Sequence, residues 1–327
     1  MLTAYLSTNS RKTEDSSMHL PYFGYGSNLN EEDWNRISSR TAWNKTLLPI
    51  EGAHLLDHAP IYHYYSSTRN GGALDVIPTR GARTVGMLFE VQEGELKTLN
   101  KKEGHPNAYD QNRVFVQTNN GDIIEALTYV VNDDRREEKF VQPTDDYVQS
   151  VRDGLTRFGL NPEAQDAASR DENDAGFCEY VFVYGTLREG EERASSMVEN
   201  RSSPWIAGTV QGELRDLGLY PALIQGKDCI HGELHQYTQI GDVLKRLDRI
   251  EGHEGVGKSD NLYDRILIDV TTASGIVQAW TYRMREQAGS RIESGDWKRR
   301  RTTLCSPHSS ETHGGRPNRY SDRIGPG

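Results

Sequence analysis

Two short apolar runs frame this chain. Tyr22-Phe23-Gly24-Tyr25 and Tyr180-Val181-Phe182-Val183-Tyr184 have the length and the aromatic and β-branched content of buried strands. Each breaks into a tight turn, Gly26-Ser27-Asn28-Leu29 in the first case and Gly185-Thr186-Leu187 in the second. A second pattern follows each run. Leu96, Leu99 and Glu103 fall at i, i+3, i+7, as do Leu244, Leu247 and Glu251, so each set lies on one face of a helix. Gly and His follow both glutamates, as Gly104-His105 and Gly252-His253. The same order of features therefore occurs twice, at a spacing that suits a domain and is too long for a solenoid repeat.

Along the chain the pattern gives two similar halves. Residues 1–19 are polar and aperiodic and predict a disordered tail. A first domain over 20–160 opens on the strand at Tyr22, and Asn30 before Glu31-Glu32-Asp33 marks a helix N-terminus. Runs at 61–65 and 85–91 predict strands separated by the turn-rich Ser67-Thr68-Arg69-Asn70-Gly71-Gly72. Residues 113–117 and 126–131 predict a hairpin joined at Asn119-Asn120-Gly121. Tyr147, Val148, Val151, Leu155 and Phe158 recur at helical spacing, so an amphipathic helix that Gly159 terminates closes the domain. Residues 161–176, charged and alanine-rich, read as a linker. In a second domain over 177–298, strands are expected at 180–184, 206–214, 230–235, 265–270 and 277–282. Residues 299–327 read as another disordered tail. Strand-rich halves with one or two helices each, and no alternating βαβ units, predict an α+β class with a small mixed barrel or curled sheet per domain.

Composition narrows the function classes. A chain of 327 residues suffices for two ordinary cores. Its mean hydropathy of −0.74 suits a protein with solvated tails and linker. The net charge of −10 argues against a nucleic-acid backbone or an anionic membrane as partner. No apolar run reaches the roughly 18 residues of a membrane span, and no apolar core follows a basic start, so neither a span nor a signal peptide is expected. Cys178, Cys229 and Cys305 lack CxxC spacing, which suits a reducing cytoplasm.

Candidate chemistry gathers at the repeated features. A glutamate that ends a core-facing stripe is partly desolvated, which raises its pKa toward neutrality as a general acid/base requires; the alternative is a Glu leaning out at a helix C-terminus. The Tyr-Gly-Ser/Thr turns present backbone N–H groups able to hold a carboxylate or an oxyanion, or they serve as structural turns. Sharper motifs fail. Gly24-Tyr25-Gly26 lacks the third glycine of a dinucleotide fingerprint, and Ser27 sits in no GxSxG elbow and becomes Thr186 in the second copy. His54 and His58, four apart as on one helix face, have no third ligand, so no metal site is expected. His105 and His253 are candidates to support the glutamates, and Arg69-Asn70-Gly71-Gly72 either lines the first cavity or forms a turn.

These residues resemble the gamma-glutamylcyclotransferase-like superfamily over most of both halves. Tyr22 to Leu29, Ser66-Ser67-Thr68-Arg69-Asn70-Gly71-Gly72, Gly86-Met87-Leu88-Phe89 and Lys102-Glu103-Gly104 resemble the gamma-glutamylcyclotransferase branch. Val181 to Leu187, Gly218-Leu219-Tyr220-Pro221-Ala222-Leu223, Gly232-Glu233-Leu234, Leu247-Asp248-Arg249-Ile250-Glu251-Gly252 and Tyr263-Asp264-Arg265 are similar to the gamma-glutamylamine cyclotransferase, AIG2-like branch. The resemblance implies two tandem small mixed β-barrels with flanking helices, no cofactor, and cyclising acyl transfer of the amidine-lyase type that releases 5-oxoproline from a small gamma-glutamyl compound. It implies catalytic roles for Glu103 and Glu251. It implies substrate contacts for Tyr25, Gly26, Ser27, Asn28, Leu29 and Tyr109 in the first domain, and for Tyr184, Gly185, Thr186, Leu187 and Tyr263 in the second. Two departures stand out. The family's Tyr-x-Arg becomes Tyr109-Asp110-Gln111 in the first half, and the Asn or His usual after the second glycine loop is replaced by Glu191-Glu192-Arg193. A binding or scaffold protein, one active domain beside a degenerate copy, and an intermolecular acyl transferase are the competing readings, and packing of the domains on each other is left open.

Overall fold

The computed structural model describes residues 20–37, 42–286 and 288–300. The expected tails, and Cys305 with them, lie outside these residues except for Arg299 and Arg300, which end the second domain.

The first domain is a closed barrel. Strand β1 (Tyr22–Gly24) leads through one 3-10 turn, Ser27–Leu29, into helix α1 (Glu31–Ile37) and then α2 (Trp43–Thr46). Asn30 Oδ1 caps α1 by accepting from Asp33 N at 3.0 Å. Two long strands follow, β2 (Leu47–Ser66) and β3 (Gly71–Val91), where the apolar pattern predicts only 61–65 and 85–91. Helix α3 (Leu96–Glu103), the hairpin β4 (Tyr109–Thr118) and β5 (Ile123–Val131), and helix α4 (Asp145–Arg157) complete the domain. The order is β1-β3-β2-β4-β5, and β5 returns parallel to β1 with Leu127 opposite Tyr22. The side chains of Phe23, Leu29, Leu47, Val76, Leu88, Phe89 and Leu155 fill the core. The span 161–176, expected as a solvated linker, carries helix α5 (Glu163–Ser169), which packs on the barrel. Gln165 Nε2 donates to Val85 O at 2.8 Å, and Ala167 and Ala168 are buried. Small alanine side chains let that helix lie close against the sheet.

The second barrel repeats the plan. Its elements are β6 (Tyr180–Val183), β7 (Ile206–Asp216), β8 (Pro221–Gln236), helix α6 (Ile240–Glu251), β9 (Asp264–Thr272) and β10 (Gly275–Arg283), with a short β11 (Ser290–Arg291) added to β7. The order β7-β8-β6-β10-β9 closes through Thr209 opposite Thr271. Ile240, Val243, Leu244 and Leu247 bury one face of α6 against Val181, Val183 and Leu267.

The domains pack on each other. A bulge between Leu56 and His58 pushes the segment of β3 near Gly81 outward, where Gly81 O accepts from Cys178 N at 3.0 Å and Ala82 bridges Phe177. Gln117 bonds the main chain of Leu267 in both directions, at 2.7 and 2.8 Å. His54 and His58 lie on strand β2, so the helix face expected for them does not exist. His58 Nδ1 lies 2.9 Å from Leu56 O. Among the described residues no cluster of three or more His, Cys, Asp or Glu is placed to hold a metal, and no helix is long and apolar enough to cross a membrane.

Candidate active sites

Each glutamate is the last residue of its helix, and the glycine after it takes the left-handed conformation, φ 69° at Gly104 and 63° at Gly252. A side chain at either glycine would be strained, so the chain leaves the helix there at little cost. Leu99 and Leu247, both buried, seat the helices on the barrels, and each glutamate lines a pocket beside its glycine turn. The next histidine fixes the exit: His105 Nδ1 and His253 Nδ1 each lie 3.2 Å from a tyrosine carbonyl, that of Tyr109 at the start of β4 and that of Tyr263 just before β9. Neither imidazole lines the cavity beside its glutamate.

In the first site Glu103 meets Tyr25, Gly26, Ser27, Asn28 and Tyr109 around a cavity of about 40 Å³, with Tyr22, Tyr129 and Tyr147 completing the wall. Burial raises the Glu103 pKa, and Lys102, Asn28 and Tyr22 oppose it. The carboxylate accepts from Tyr22 OH at 3.3 Å and from Asn28 Nδ2. Lys102 Nζ, itself buried, donates to Asn28 Oδ1 at 2.9 Å. Behind the turn, Arg69 Nη2 reaches Ser27 Oγ at 2.8 Å and Asp33 Oδ2 at 2.6 Å. Burial alone would raise the Asp33 carboxyl; Arg69 and Lys102 overcome it and hold the group at about 2. Arg69 therefore supports the turn from behind, while Gly71 and Gly72 start β3. Leu29 is placed elsewhere: its side chain is wholly buried, and a methyl on Gly154 would meet its Cβ at 2.7 Å. It packs the turn onto α4.

The second site has the same frame. Tyr25 OH donates to Tyr129 O at 2.6 Å, and Tyr184 OH to Tyr282 O at 2.8 Å. Tyr109 OH donates to Leu74 O at 3.1 Å, and Tyr263 OH to Pro221 O at 2.9 Å. Thr128 and Thr281 tie their strands to Phe23 O and Phe182 O. Tyr184, Gly185, Thr186, Leu187, Tyr263 and Glu251 share one pocket of about 130 Å³, with Tyr220, Tyr282 and Arg193. The donors differ. Where the first site has Tyr22 and Asn28, the second has Val181 and Leu187, which cannot hydrogen-bond, and Ile250 replaces Lys102. No described residue donates a hydrogen bond to Glu251; burial lifts its pKa to about 7, against a modest downward pull from Arg193.

Over this frame, sequence comparison adds a family. The description gamma-glutamyl cyclotransferase, AIG2-like, matches residues 22–149 and again residues 181–299. The chain belongs to this family. Its two AIG2-like segments coincide with the two barrels, so the cyclotransferase fold is present in tandem. The chain is 35% identical over 131 residues to gamma-L-glutamyl-butirosin B gamma-glutamyl cyclotransferase of Niallia circulans, covering 40% of this chain and 82% of that protein. Among solved structures it resembles a gamma-glutamyl cyclotransferase (22% identity, TM-score 0.39, 46% of this chain and 85% of that one). It also resembles YkqA from Bacillus subtilis (16% identity, TM-score 0.33, 83% and 86%). The arginine of Tyr263-Asp264-Arg265 does not line the AIG2-like pocket. Its guanidinium is buried between Asp248 of α6, at 2.8 Å, and Asp57 of the first domain, at 2.8 Å. Sequence reasoning did not reach Tyr22, Tyr129, Tyr147 and Lys102 in the first site or Tyr220 and Tyr282 in the second. The aromatic run holding Tyr22 marks a strand without revealing that its first hydroxyl reaches a glutamate 81 residues away.

Proposed function

We propose that the chain is a cyclotransferase that releases 5-oxoproline from gamma-glutamyl amino acids or gamma-glutamyl amines, with Glu103 and Glu251 as general acid/bases of the two sites. Glu251 carries this reading: a carboxyl with no hydrogen-bond donor among the described residues, held at about 7 by burial, in a tyrosine-lined pocket shared with the Tyr184 to Leu187 turn. A group that shuttles protons at neutral pH needs such an affinity.

The chemistry follows from the substrate. Its α-amine is largely protonated at pH 7, with an ordinary pKa of about 8. The glutamate takes a proton, and the freed nitrogen attacks the γ-carbonyl carbon to form the C–N bond of a five-membered ring. The tetrahedral carbon collapses and the bond to the leaving nitrogen breaks. Over the cycle the α-nitrogen gives up two protons and the leaving nitrogen gains two, with the glutamate as carrier. The first N–H groups of the turn lack acceptors within it and suit the α-carboxylate. The pocket keeps the substrate curled, so the attack is intramolecular.

A second reading has support in the cavity sizes. About 40 Å³ beside a Glu103 already bonded to Tyr22 and Asn28, against about 130 Å³ beside an unbonded Glu251, favours the second domain as the more open site. The test is 5-oxoproline release from a panel of gamma-glutamyl amino acids and amines by the intact chain, Glu103→Gln, Glu251→Gln and the double variant. Loss in one single variant assigns the enzyme to that domain, and substrates divided between the two make the chain bifunctional. A folded chain that releases free glutamate favours acyl transfer between molecules; one that binds without turnover favours a metabolite-binding role.

A further inference from the structure

Arg193 brings to the second pocket a positive charge that makes no ion-pair contact with any described carboxylate and is felt by Glu251 across the pocket. It lines that pocket together with Glu251 and Tyr263. The neighbouring arginines are engaged: Arg188 bonds Glu233 at 3.3 Å and Asp296 at 2.6 Å, and Arg265 is held by Asp248 and Asp57. Among the described residues no carboxylate pairs with Arg193, although its main chain is fixed to the turn by a bond from Arg193 N to Thr186 O at 2.8 Å. The first pocket has no such group. Trp34 stands at the same distance in sequence from Tyr25 as Arg193 from Tyr184, and it is wholly buried with Lys102 Nζ 5.6 Å from its ring. An exposed guanidinium on the pocket wall, anchored through its main chain and in ion-pair contact with no described carboxylate, is suited to a carboxylate brought in by the ligand.

Resting on the cyclotransferase reading, we infer that Arg193 anchors a carboxylate of the substrate in the second pocket, a determinant of binding that the first pocket lacks. That carboxylate has two sources: the α-carboxylate common to all gamma-glutamyl compounds, or one on the leaving amine, present only when an amino acid leaves.

The test uses the full chain carrying Glu103→Gln, so that turnover reports on the second site, and compares gamma-glutamyl-alanine with gamma-glutamyl-ethylamine. Arg193→Gln is expected to lower kcat/KM about 10- to 100-fold, mainly through KM, as for a lost charge-assisted hydrogen bond, and Arg193→Lys to recover part of it. An equal loss on both substrates identifies the α-carboxylate; a loss confined to gamma-glutamyl-alanine identifies the leaving group. Less than a twofold change on both substrates overturns the inference. Calorimetric binding of the same compounds to the chain bearing Glu103→Gln and Glu251→Gln, with and without Arg193→Gln, separates the two claims. Affinity that depends on Arg193, when the chain with both glutamates intact forms 5-oxoproline from none of these compounds, keeps the anchor and sinks the cyclotransferase reading. Turnover with affinity indifferent to Arg193 does the reverse, and neither turnover nor dependence on Arg193 sinks both.

Discussion

Glu251→Gln should stabilise this protein at alkaline pH and leave it unchanged in acid. The carboxyl is held at about 7 in the fold against an ordinary 4.5. At about 1.4 kcal/mol per pH unit the gap corresponds to roughly 3 kcal/mol. The sign follows from which state holds the proton. Below pH 4.5 both the folded and the unfolded chain carry it, and nothing is lost. Between 4.5 and 7 the unfolded chain ionises while the folded one does not, so stability declines. Above 7 the folded chain bears the full cost of a buried carboxylate without donors. Glutamine has the same shape and no charge, so it escapes that cost. Scanning calorimetry at pH 4.5 and pH 8 should show coincident transitions in acid, and at pH 8 a rise in the variant's second-domain Tm on the order of 6–12 °C. Equal offsets at the two pH values would mean that Glu251 titrates as an ordinary surface acid, and its candidacy as a neutral-pH proton carrier would fail.

Three further outcomes follow from the contacts. Leu187→Asn supplies the second site with the amide that Asn28 gives the first and should draw the Glu251 titration downward, read by carbon NMR of labelled glutamate; an unmoved titration would sink the correspondence between the sites. Asp57→Asn leaves the buried Arg265 with Asp248 alone and should cost on the order of 3 kcal/mol, read as a lower urea midpoint for the second domain. Glu233 accepts from Glu189 N at 2.7 Å and from Lys298 Nζ at 3.1 Å. Burial would raise its carboxyl, yet His235, Glu189 N and Lys298 hold it at about 2, so its contribution is present above pH 4.5 and fades as pH falls toward 2. Glu233→Gln should remove that acid-sensitive part and speed hydrogen exchange at Glu189 N.

The repeat was legible because its signals are local: aromatic runs that end in a glycine turn, and leucines spaced to bring Glu103 and Glu251 to one helix face. The long hairpin of β2 and β3 was not. Register breaks at Pro49/Glu51, Leu56/His58 and Ile61/Tyr64 interrupt its alternation, so only fragments look like strands. Helix α5 was hidden by composition, since the alanines that suggest a tether are also what lets it pack closely. The difference between the sites was present in the sequence, as Tyr22 and Asn28 against Val181 and Leu187, but its meaning depends on contacts such as Asn28 to Glu103, 75 residues apart. Only the closed barrels bring those side chains together.

The interface makes the two sites unequal in a further way. Helix α6, which carries Glu251, is held from the first domain. Asp248, less than one turn before the glutamate, accepts from Arg80 at 3.2 Å, from Arg265 at 2.8 Å and from Tyr282 OH at 2.7 Å, and Arg265 is in turn held by Asp57. Gly81 sits where a side chain would strike Ile240 at 2.9 Å, so the bulge of the first barrel meets the start of the same helix. Helix α3 has no such external support in these contacts: Glu103 is oriented by Tyr22 and Asn28 of its own barrel, and Lys102 joins them from the helix itself. The first glutamate is thus placed by hydrogen bonds to its carboxylate, the second by clamping its helix from outside while its carboxylate stays unbonded. The second arrangement leaves the carboxyl free to exchange protons and makes its position depend on the neighbouring barrel. On this account the first domain serves the second as a buttress whether or not it turns over substrate itself.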